Sequence, residues 1–175
     1  CLPTLNSQIR EACRILDIKE IPNCSINWFY HIGSFSVGEK SKRIVFPSGS
    51  IDLLTAEELN FLIGHELGHI LQKNLMCHMI KGLLDNMNNK SKILGPIVTD
   101  LIDVPLNQWY RCAEFTADRA GLICAGSLMY VESLFARICG NTCHKATAIE
   151  EYWELSNMHP LFYSRIRQLE QFGLE

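Results

Sequence analysis

The chain has 175 residues, of which 47% are hydrophobic and 20% charged, with a formal net charge of −3. This length and composition suit one domain, residues 1–175, with its own hydrophobic core. A net negative charge does not indicate the basic surface that nucleic-acid-binding proteins carry. No apolar run reaches the ~18 residues that a membrane span requires. Because the chain begins at Cys1 rather than Met, we expect a fragment or a processed form, and membrane association through an upstream segment stays open.

The first half of the chain is predicted to contain helices and a few strands. The spacing of apolar residues predicts an amphipathic helix over residues 4–17. Thr55 and Glu58 form a capping-box pattern that starts a helix running to about residue 73. Between these helices, alternating residues and turn signals predict three strands and a turn, at 24–30, 33–37, 42–46 and Pro47-Ser48-Gly49.

The second half is predicted to be helical. Gly95-Pro96 and Pro105 are expected to break their region into short pieces. One helix, a few strands and then many helices indicate an α+β fold with a small antiparallel or mixed sheet. We expect an N-terminal subdomain of about 1–74 and a helical C-terminal subdomain of about 75–175. The predicted helices of that part lie at about 76–88, 107–125, 127–138 and 145–156, and after Pro160.

Eight cysteines are scattered along the chain, mostly among apolar neighbours. We interpret them as small buried thiols rather than a disulfide framework. Cys139-x-x-x-Cys143-His144 is similar to a metal-binding pattern but misses its usual spacing. Unpaired thiols favour a reducing cytoplasm as the compartment.

The stretch FLIGHELGHIL, residues 61–71, carries the main chemical signal. His65 and His69 are four residues apart, so on a helix they share one face and can bind one Zn²⁺. Glu66 lies about 100° round the helix and can reach a water on the metal as a general base. The alternative to a metal site is that the two histidines lie in the core with hydrogen-bond partners and that the glutamate is partly exposed. The apolar surroundings count against it, because each polar group would need its own partner.

A catalytic zinc site needs a third protein ligand. The candidate is Glu114 in RCAEFTADRAG, residues 111–121. Asp118 follows four residues later and can accept the free N–H of a ligating histidine. The alternative is that Arg111 and Arg119 hold both carboxylates in surface ion pairs.

Small residues on both helices favour the metal site. Gly68 should cost its helix about 1 kcal/mol relative to alanine, and Gly64 lies one turn earlier. On the second helix, Ala117 and Gly121 flank the face that carries the two carboxylates. Because small residues let two backbones approach closely, we infer that the two helices cross at the site.

These motifs, in this order, resemble peptidase family M48, the group of the Ste24 CAAX-type and HtpX-like proteases and their small soluble relatives, the minigluzincins. The similarity covers nearly the whole chain. It implies a zincin-like (gluzincin) fold whose active-site helix and glutamate helix cross at the metal. Gly33-Ser34-Phe35 stands where the family usually has Asn-Ala-Phe. The similar pieces are IPNCSINWFYHIGSFSVG at 21–38, KRIVFPSGSIDLLTAEELNFLIGHELGHI at 42–70, RCAEFTADRAG at 111–121 and HPLFYSRI at 159–166.

The resemblance also implies roles for single residues. His65, His69 and Glu114 would bind zinc, Glu66 would be the base, and Asp118 would contact a ligating histidine. His159 would face the cleft and donate to the oxyanion, and Arg165 would support that region by contacting Glu114. From the residues alone, His159 before Pro160 could equally be a helix cap.

The function expected from the resemblance is a zinc-dependent endopeptidase with one zinc ion per chain. An extended peptide or unfolded protein would pair with the edge strand near 33–38, at Gly33, Ser34 and Phe35. One alternative is a module that binds a peptide or partner protein and cuts little. Another is a latent protease whose cleft is covered by residues 91–108 or by an upstream piece. Integral-membrane relatives have spanning helices that this chain lacks, so the soluble relatives are the closer comparison.

Overall fold

The structure of the chain is a computed structural model. It describes residues 2–38, 41–72, 95–140, 147–154, 157 and 159–173, with backbone alone for 95–104 and 151–153. The helix predicted at about 76–88 and the residues Cys143 and His144 lie outside this part of the chain.

The described residues form an α+β arrangement with far more helix than strand. The elements follow one another along the chain as α1 (Pro3–Ile15), β1 (Asn23–Asn27), β2 (Phe35–Val37), β3 (Arg43–Pro47), α2 (Ser48–Leu53), α3 (Ala56–Gln72), α4 (Gly95–Ala125), α5 (Leu128–Ile138), α6 (Ala148–Glu154) and α7 (Phe162–Gly173). The expected order of one helix, three strands and then helices is confirmed.

The three strands form one small mixed sheet in the order β1-β3-β2. The central strand β3 runs parallel to β1, with Asn23 opposite Arg43, and antiparallel to β2, with Phe35 opposite Val45. Within the described residues, β2 pairs with β3 alone and is therefore an edge of the sheet. The sequence predicted a small sheet that was either antiparallel or mixed, and the structure has the mixed one.

One hydrophobic core joins elements from both ends of the chain. Helix α1 contributes its apolar face, and β3 contributes Ile44 and Phe46. The core continues through α3 and α5 to Leu169 on α7. The proposed division into subdomains near residue 74 stays a prediction. Cys13 and Cys124 are buried within this core, as expected for small thiols, whereas Cys112 is exposed.

The turn predicted at residues 47–49 is wrong, because helix α2 begins at Ser48. Pro47 has the extended conformation of an N-cap residue (φ −60°, ψ 145°) and so leads into a helix instead of reversing the chain. A side chain at Gly49 would lie 2.8 Å from the backbone of His31. The glycine is therefore explained by close packing of α2 on the loop after β1.

The predicted capping box at the start of α3 is present. The Glu58 carboxylate accepts from the Thr55 N–H at 2.9 Å, and Thr55 Oγ1 accepts from the Glu58 N–H at 3.2 Å. The other oxygen of Glu58 accepts from Ser133 Oγ at 2.7 Å and forms an ion pair with Arg137 Nε at 3.1 Å. This buried carboxylate thus caps α3 and ties it to α5.

The expectation that Gly95-Pro96 and Pro105 break the chain is wrong, since α4 is continuous from Gly95 to Ala125. Pro96 is in the first helical turn, where the missing N–H costs nothing. Pro105 is inside the helix, which continues through it although an internal proline costs about 3 kcal/mol. Among the described residues no single helix is long and apolar enough to cross a membrane, although Pro105–Ala125 and Leu128–Ile138 reach that length and hydropathy together across a 119° bend.

Candidate active site

Helices α3 and α4 bring together the three predicted metal ligands. His65 Nε2 lies 3.0 Å from His69 Nε2, and His69 Nε2 lies 3.2 Å from Glu114 Oε1. The third separation, from His65 Nε2 to Glu114 Oε2, is 3.8 Å. All three ligand atoms fall within 4.8 Å of one another. Two histidines and a carboxylate thus converge on one point from two helices.

The cluster fits a tetrahedral metal ion in distance and in chemistry. Ligand atoms placed 2.0–2.1 Å from a tetrahedral zinc are about 3.3 Å apart, and the three observed separations lie on both sides of that value. Two imidazole nitrogens and one carboxylate oxygen form a donor set of catalytic zinc sites, which leaves a fourth position open. The residues present therefore suit zinc.

Close contact between the two helices makes this convergence geometrically feasible. A Cβ atom at Gly68 would lie 2.8 Å from Ala117 Cα, and one at Gly64 would lie 2.7 Å from the carbonyl oxygen of Ala120. A larger residue at either position would displace α4 from α3 and so move Glu114 away from the histidines. The predicted crossing of the two helices at small residues is confirmed.

Asp118 lies behind the cluster and holds His65 in one orientation. Its Oδ1 atom lies 2.9 Å from His65 Nδ1, and because a carboxylate only accepts, Nδ1–H donates. That tautomer leaves the Nε2 lone pair of His65 facing Glu114 and His69. The contact expected between Asp118 and a ligating histidine is therefore present.

Arg165 contacts Asp118, whereas the resemblance offered Glu114 as a candidate contact. Its Nε donates to Asp118 Oδ2 at 2.7 Å, and Nη2 donates to Oδ1 at 2.5 Å. Burial by itself raises the pKa of Asp118, but the charge of Arg165 and hydrogen bonds from Arg165 and His65 outweigh it and hold the pKa below its usual range. Asp118 is thus an anion that joins Arg165 to the group of candidate metal ligands.

The suggestion that Glu114 and Asp118 form surface ion pairs with their neighbouring arginines is wrong, because both carboxylates are buried. Arg111 donates to the backbone carbonyls of Glu154 and Asn157. The guanidinium of Arg119 lies 5.3 Å from the centre of the Phe172 ring. Burial raises the pKa of Glu114, but interactions with His159, His69 and His65 outweigh it, so that its pKa falls far below the usual range.

Glu66 is buried beside the cluster with one oxygen hydrogen-bonded. Ser34 Oγ donates to Glu66 Oε1 at 2.8 Å. Ser34 precedes the edge strand β2, and the preceding residue Gly33 is held at both its N–H and its carbonyl by Ser50 Oγ. The sequence predicted Ser34 only as a substrate contact. The hydrogen bond between Ser34 and Glu66 joins residues 32 positions apart, and no local sequence pattern predicts it.

His159 lies at the edge of the site with its side chain 71% exposed, and its Nδ1 is 3.6 Å from Glu114 Oε1. Helix α7 begins at Phe162, and the Leu161 carbonyl accepts its first hydrogen bond, from the Arg165 N–H. Leu161 is therefore the N-cap residue. The suggestion that His159 is a helix cap is wrong.

The cluster opens into a cleft of about 430 Å³. The predicted residues Gly33, Ser34 and Phe35 line one side of it, and no residue from 105 to 108 is among the lining residues. The sequence reading missed the apolar wall, because its residues come from three helices and face the cleft only after those helices pack. This wall consists of Phe61, Leu62, Phe135, Ile138 and Phe162.

Comparison with known proteins matches this geometry to one family. The family model described as peptidase family M48 matches residues 3–172. Plastoglobule-localized metallopeptidase 48, chloroplastic, of Arabidopsis thaliana is 28% identical in a 141-residue alignment that covers 79% of this chain and 41% of that protein. Protease HtpX homolog 2 of Methanosarcina mazei is 21% identical in a gapped alignment of 217 positions that covers 99% of this chain and 74% of that protein.

A solved structure shares the fold. The crystal structure of Ste24p from S. mikatae matches with a TM-score of 0.63 and 16% identity, covering 93% of this chain. The chain spans 41% of the Arabidopsis protein and 49% of Ste24p. Family M48 is a family of metallopeptidases, which implies a metal cofactor. Since the family match extends over nearly the whole chain, this protein belongs to peptidase family M48.

Proposed function

We propose that the chain is a zinc-dependent endopeptidase that cuts extended peptides and unfolded proteins. The observation that carries the proposal is the convergence of His65, His69 and Glu114, with the carboxylate of Glu66 beside them in an open cleft. A family whose members are peptidases supports the reaction class.

His65, His69 and Glu114 would hold one zinc ion. When bound, zinc supplies Lewis acidity, which polarises a carbonyl group and makes water a better nucleophile at neutral pH. Asp118 keeps the Nε2 lone pair of His65 available for the metal, and Arg165 keeps Asp118 ionised. Partners of this kind orient a ligating histidine and raise its basicity.

Glu66 is proposed as the general base. Its Oε1 is engaged by Ser34, which leaves Oε2 to take the proton of the attacking water and pass it to the leaving amine. The hydroxyl of Ser34 restrains rotation of the carboxylate, so the free oxygen keeps one direction.

His159 is proposed to stabilise the oxyanion. Its ring is mostly exposed and lines the cleft next to Glu114. A hydrogen bond from the imidazole to the oxygen that gains charge would exist only in the transition state, and so it would accelerate the reaction without tightening substrate binding.

The edge strand β2 favours an extended substrate. Phe35–Val37 pairs with β3 on one side, and no other described strand pairs with its second side, where the main chain of a peptide could add. An unfolded segment can add to such an edge, whereas a segment already paired within a folded protein cannot. The sequence around the cut would then be selected by side-chain pockets such as the apolar wall.

The test combines metal content with cleavage of casein, an unfolded protein. We expect one zinc per chain, cleavage that chelator abolishes and zinc restores, and internal cuts identified by mass spectrometry. Glu66→Gln is the matched control, since it should keep the zinc and the fold but lose about 10²-fold or more in rate. Full zinc occupancy with no cleavage of casein by the wild type would favour the binding-module alternative and overturn the proposal.

A further inference from the structure

Three consecutive aromatic side chains, those of Trp28, Phe29 and Tyr30, project into solvent after strand β1. Their exposed fractions are 97%, 68% and 66%. We call residues 28–30 the aromatic loop. Scattered apolar residues on a surface are ordinary, but a contiguous exposed patch of large ones marks an interaction site.

The backbone of the aromatic loop is held in place while its side chains stay mostly exposed. The Phe29 N–H donates to Asn27 Oδ1 at 3.1 Å, and Ser48 Oγ donates to the Phe29 carbonyl at 3.3 Å. Helix α2 also packs closely on the next residue, where Gly49 meets the backbone of His31. The loop therefore presents its aromatic rings from a defined position, which lowers the entropy lost when a partner binds.

The aromatic loop is adjacent to the proposed substrate cleft. Tyr30 and Ser34 are four residues apart, so their Cα atoms are separated by at most about 14 Å. Helix α2 supports both places, through Ser48 at Phe29 and through Ser50 at Gly33. A peptide that lies along the cleft needs only a few further residues to reach the aromatic rings.

The charge of this region indicates the chemistry of the partner. Residues 21–38 contain no Asp, Glu, Lys or Arg. A site for acidic or basic peptides would carry the opposite charge, and recruitment to an anionic membrane surface depends on Lys and Arg. Trp and Tyr, together with Arg, are enriched among the residues that contribute most at protein-binding surfaces. An uncharged aromatic surface suits an apolar polypeptide segment.

We propose that the aromatic loop extends the substrate site and binds an apolar segment of an unfolded protein, while a neighbouring segment of the same protein occupies the cleft. This inference rests on the proposed function, because it treats the cleft as the place of cleavage. It gives the enzyme a substrate class, namely unfolded proteins that carry an apolar stretch near the cut.

The first test measures binding without turnover. In the Glu66→Gln background, fluorescently labelled β-casein is titrated and its anisotropy followed. The pair of changes Trp28→Ala and Phe29→Ala should weaken casein binding by about tenfold, the loss expected for truncating a strongly contributing aromatic contact. Trp109→Ala is the matched control, since Trp109 on α4 is also half-exposed and lies outside the loop; it should leave binding unchanged.

The second test separates the loop from the cleft. In the active enzyme, the two loop changes should raise the KM for β-casein about tenfold. They should leave unchanged the kcat/KM for a six-residue peptide centred on a mapped casein cut, because so short a peptide cannot fill both places. If the wild type cuts neither substrate, the proposed function fails, while the binding titration still decides on the loop.

Three results would overturn the inference. One is casein binding that the loop changes do not affect. Another is an equal loss of kcat/KM for casein and for the six-residue peptide, which would place the loop's effect inside the cleft. The third is loop-dependent binding to phosphatidylcholine vesicles, with or without phosphatidylserine, in the absence of loop-dependent binding to casein. Unchanged thermal unfolding of the loop variant, expected from its exposure, excludes misfolding as the cause of a positive result.

Discussion

Gly68→Ala sets two effects of similar size against each other. In an exposed helix this change stabilises by about 1 kcal/mol, because alanine is the better helix former. Here the new Cβ would lie 2.8 Å from Ala117 Cα, 3.2 Å from Ala120 Cβ and 3.3 Å from Ala117 Cβ. The nearest of these atoms belongs to the backbone of α4 and cannot rotate away. Overpacking of this kind costs about 1–3 kcal/mol, so we expect a net loss of stability of up to about 2 kcal/mol.

The effect on metal binding should be larger than the effect on stability. To bring the nearest contact from 2.8 Å to 3.4 Å, the shortest ordinary distance, α3 and α4 must separate by at least 0.6 Å (3.4 − 2.8). Zinc–ligand distances vary by only about 0.2 Å. Glu114 on α4 would therefore be pulled from His65 and His69 on α3, and we expect zinc affinity to fall by on the order of 10- to 100-fold, as when the support of a metal ligand is lost.

The assay for Gly68→Ala is thermal unfolding of the zinc-free and zinc-loaded protein, with zinc affinity measured by competition with a chromophoric chelator. Gly173→Ala at the end of α7 is the matched control, since its new Cβ would meet no atom within 4 Å beyond its own neighbouring helix backbone; it should leave zinc affinity unchanged and raise stability by at most about 1 kcal/mol. Wild-type zinc affinity in Gly68→Ala, or a gain in stability, would refute the view that backbone contact at this glycine positions the metal ligands.

The remaining predictions concern the site itself. Arg165→Gln leaves the buried Asp118 without its cation and should lower the free energy of unfolding, measured in urea at neutral pH, by about 3–5 kcal/mol. Since the pKa of Asp118 is lowered in the folded state, this loss should shrink as the pH falls below about 4. An equal loss from pH 7 to pH 3 would contradict the role of Arg165 as the cation of Asp118. His159→Ala should lower kcat about 10²–10³-fold with little change in KM or in thermal stability; a normal kcat in steady-state kinetics would remove the residue from catalysis. Glu114→Ala should lose tightly bound zinc in elemental analysis, and unchanged zinc affinity would exclude it as a ligand.

Local regularities made part of the site predictable from the sequence. His65 and His69 share a helix face because four residues make about one turn. Thr55 and Glu58 cap α3 by the same logic, since the reciprocal bonds need only a three-residue spacing. Gly68 indicated close helix packing because a glycine inside a helix is costly unless something requires it.

Contacts between distant parts of the chain were decided by the packing of elements. Arg165 pairs with Asp118 because the arrangement of α7 against α4 puts its guanidinium on that carboxylate, and a spacing of 47 residues does not encode which acid it meets. Ser34 reaches Glu66 for the same reason. The prolines also led to a wrong prediction, since α4 continues through Pro105 without a break.

The sequence by itself determined which reactive side chains are present: two histidines and a glutamate on one helix, a pair of carboxylates on another, and small residues where the two helices could meet. These follow from helical periodicity and side-chain size, which are properties of neighbours in the chain. Only the tertiary structure decided the separations of the ligand atoms, the partner of Arg165, the apolar wall of the cleft and the exposure of the aromatic loop. Those depend on how whole elements pack, because ångström-scale shifts between helices arise from the sum of many contacts and leave no signature in any short stretch of residues.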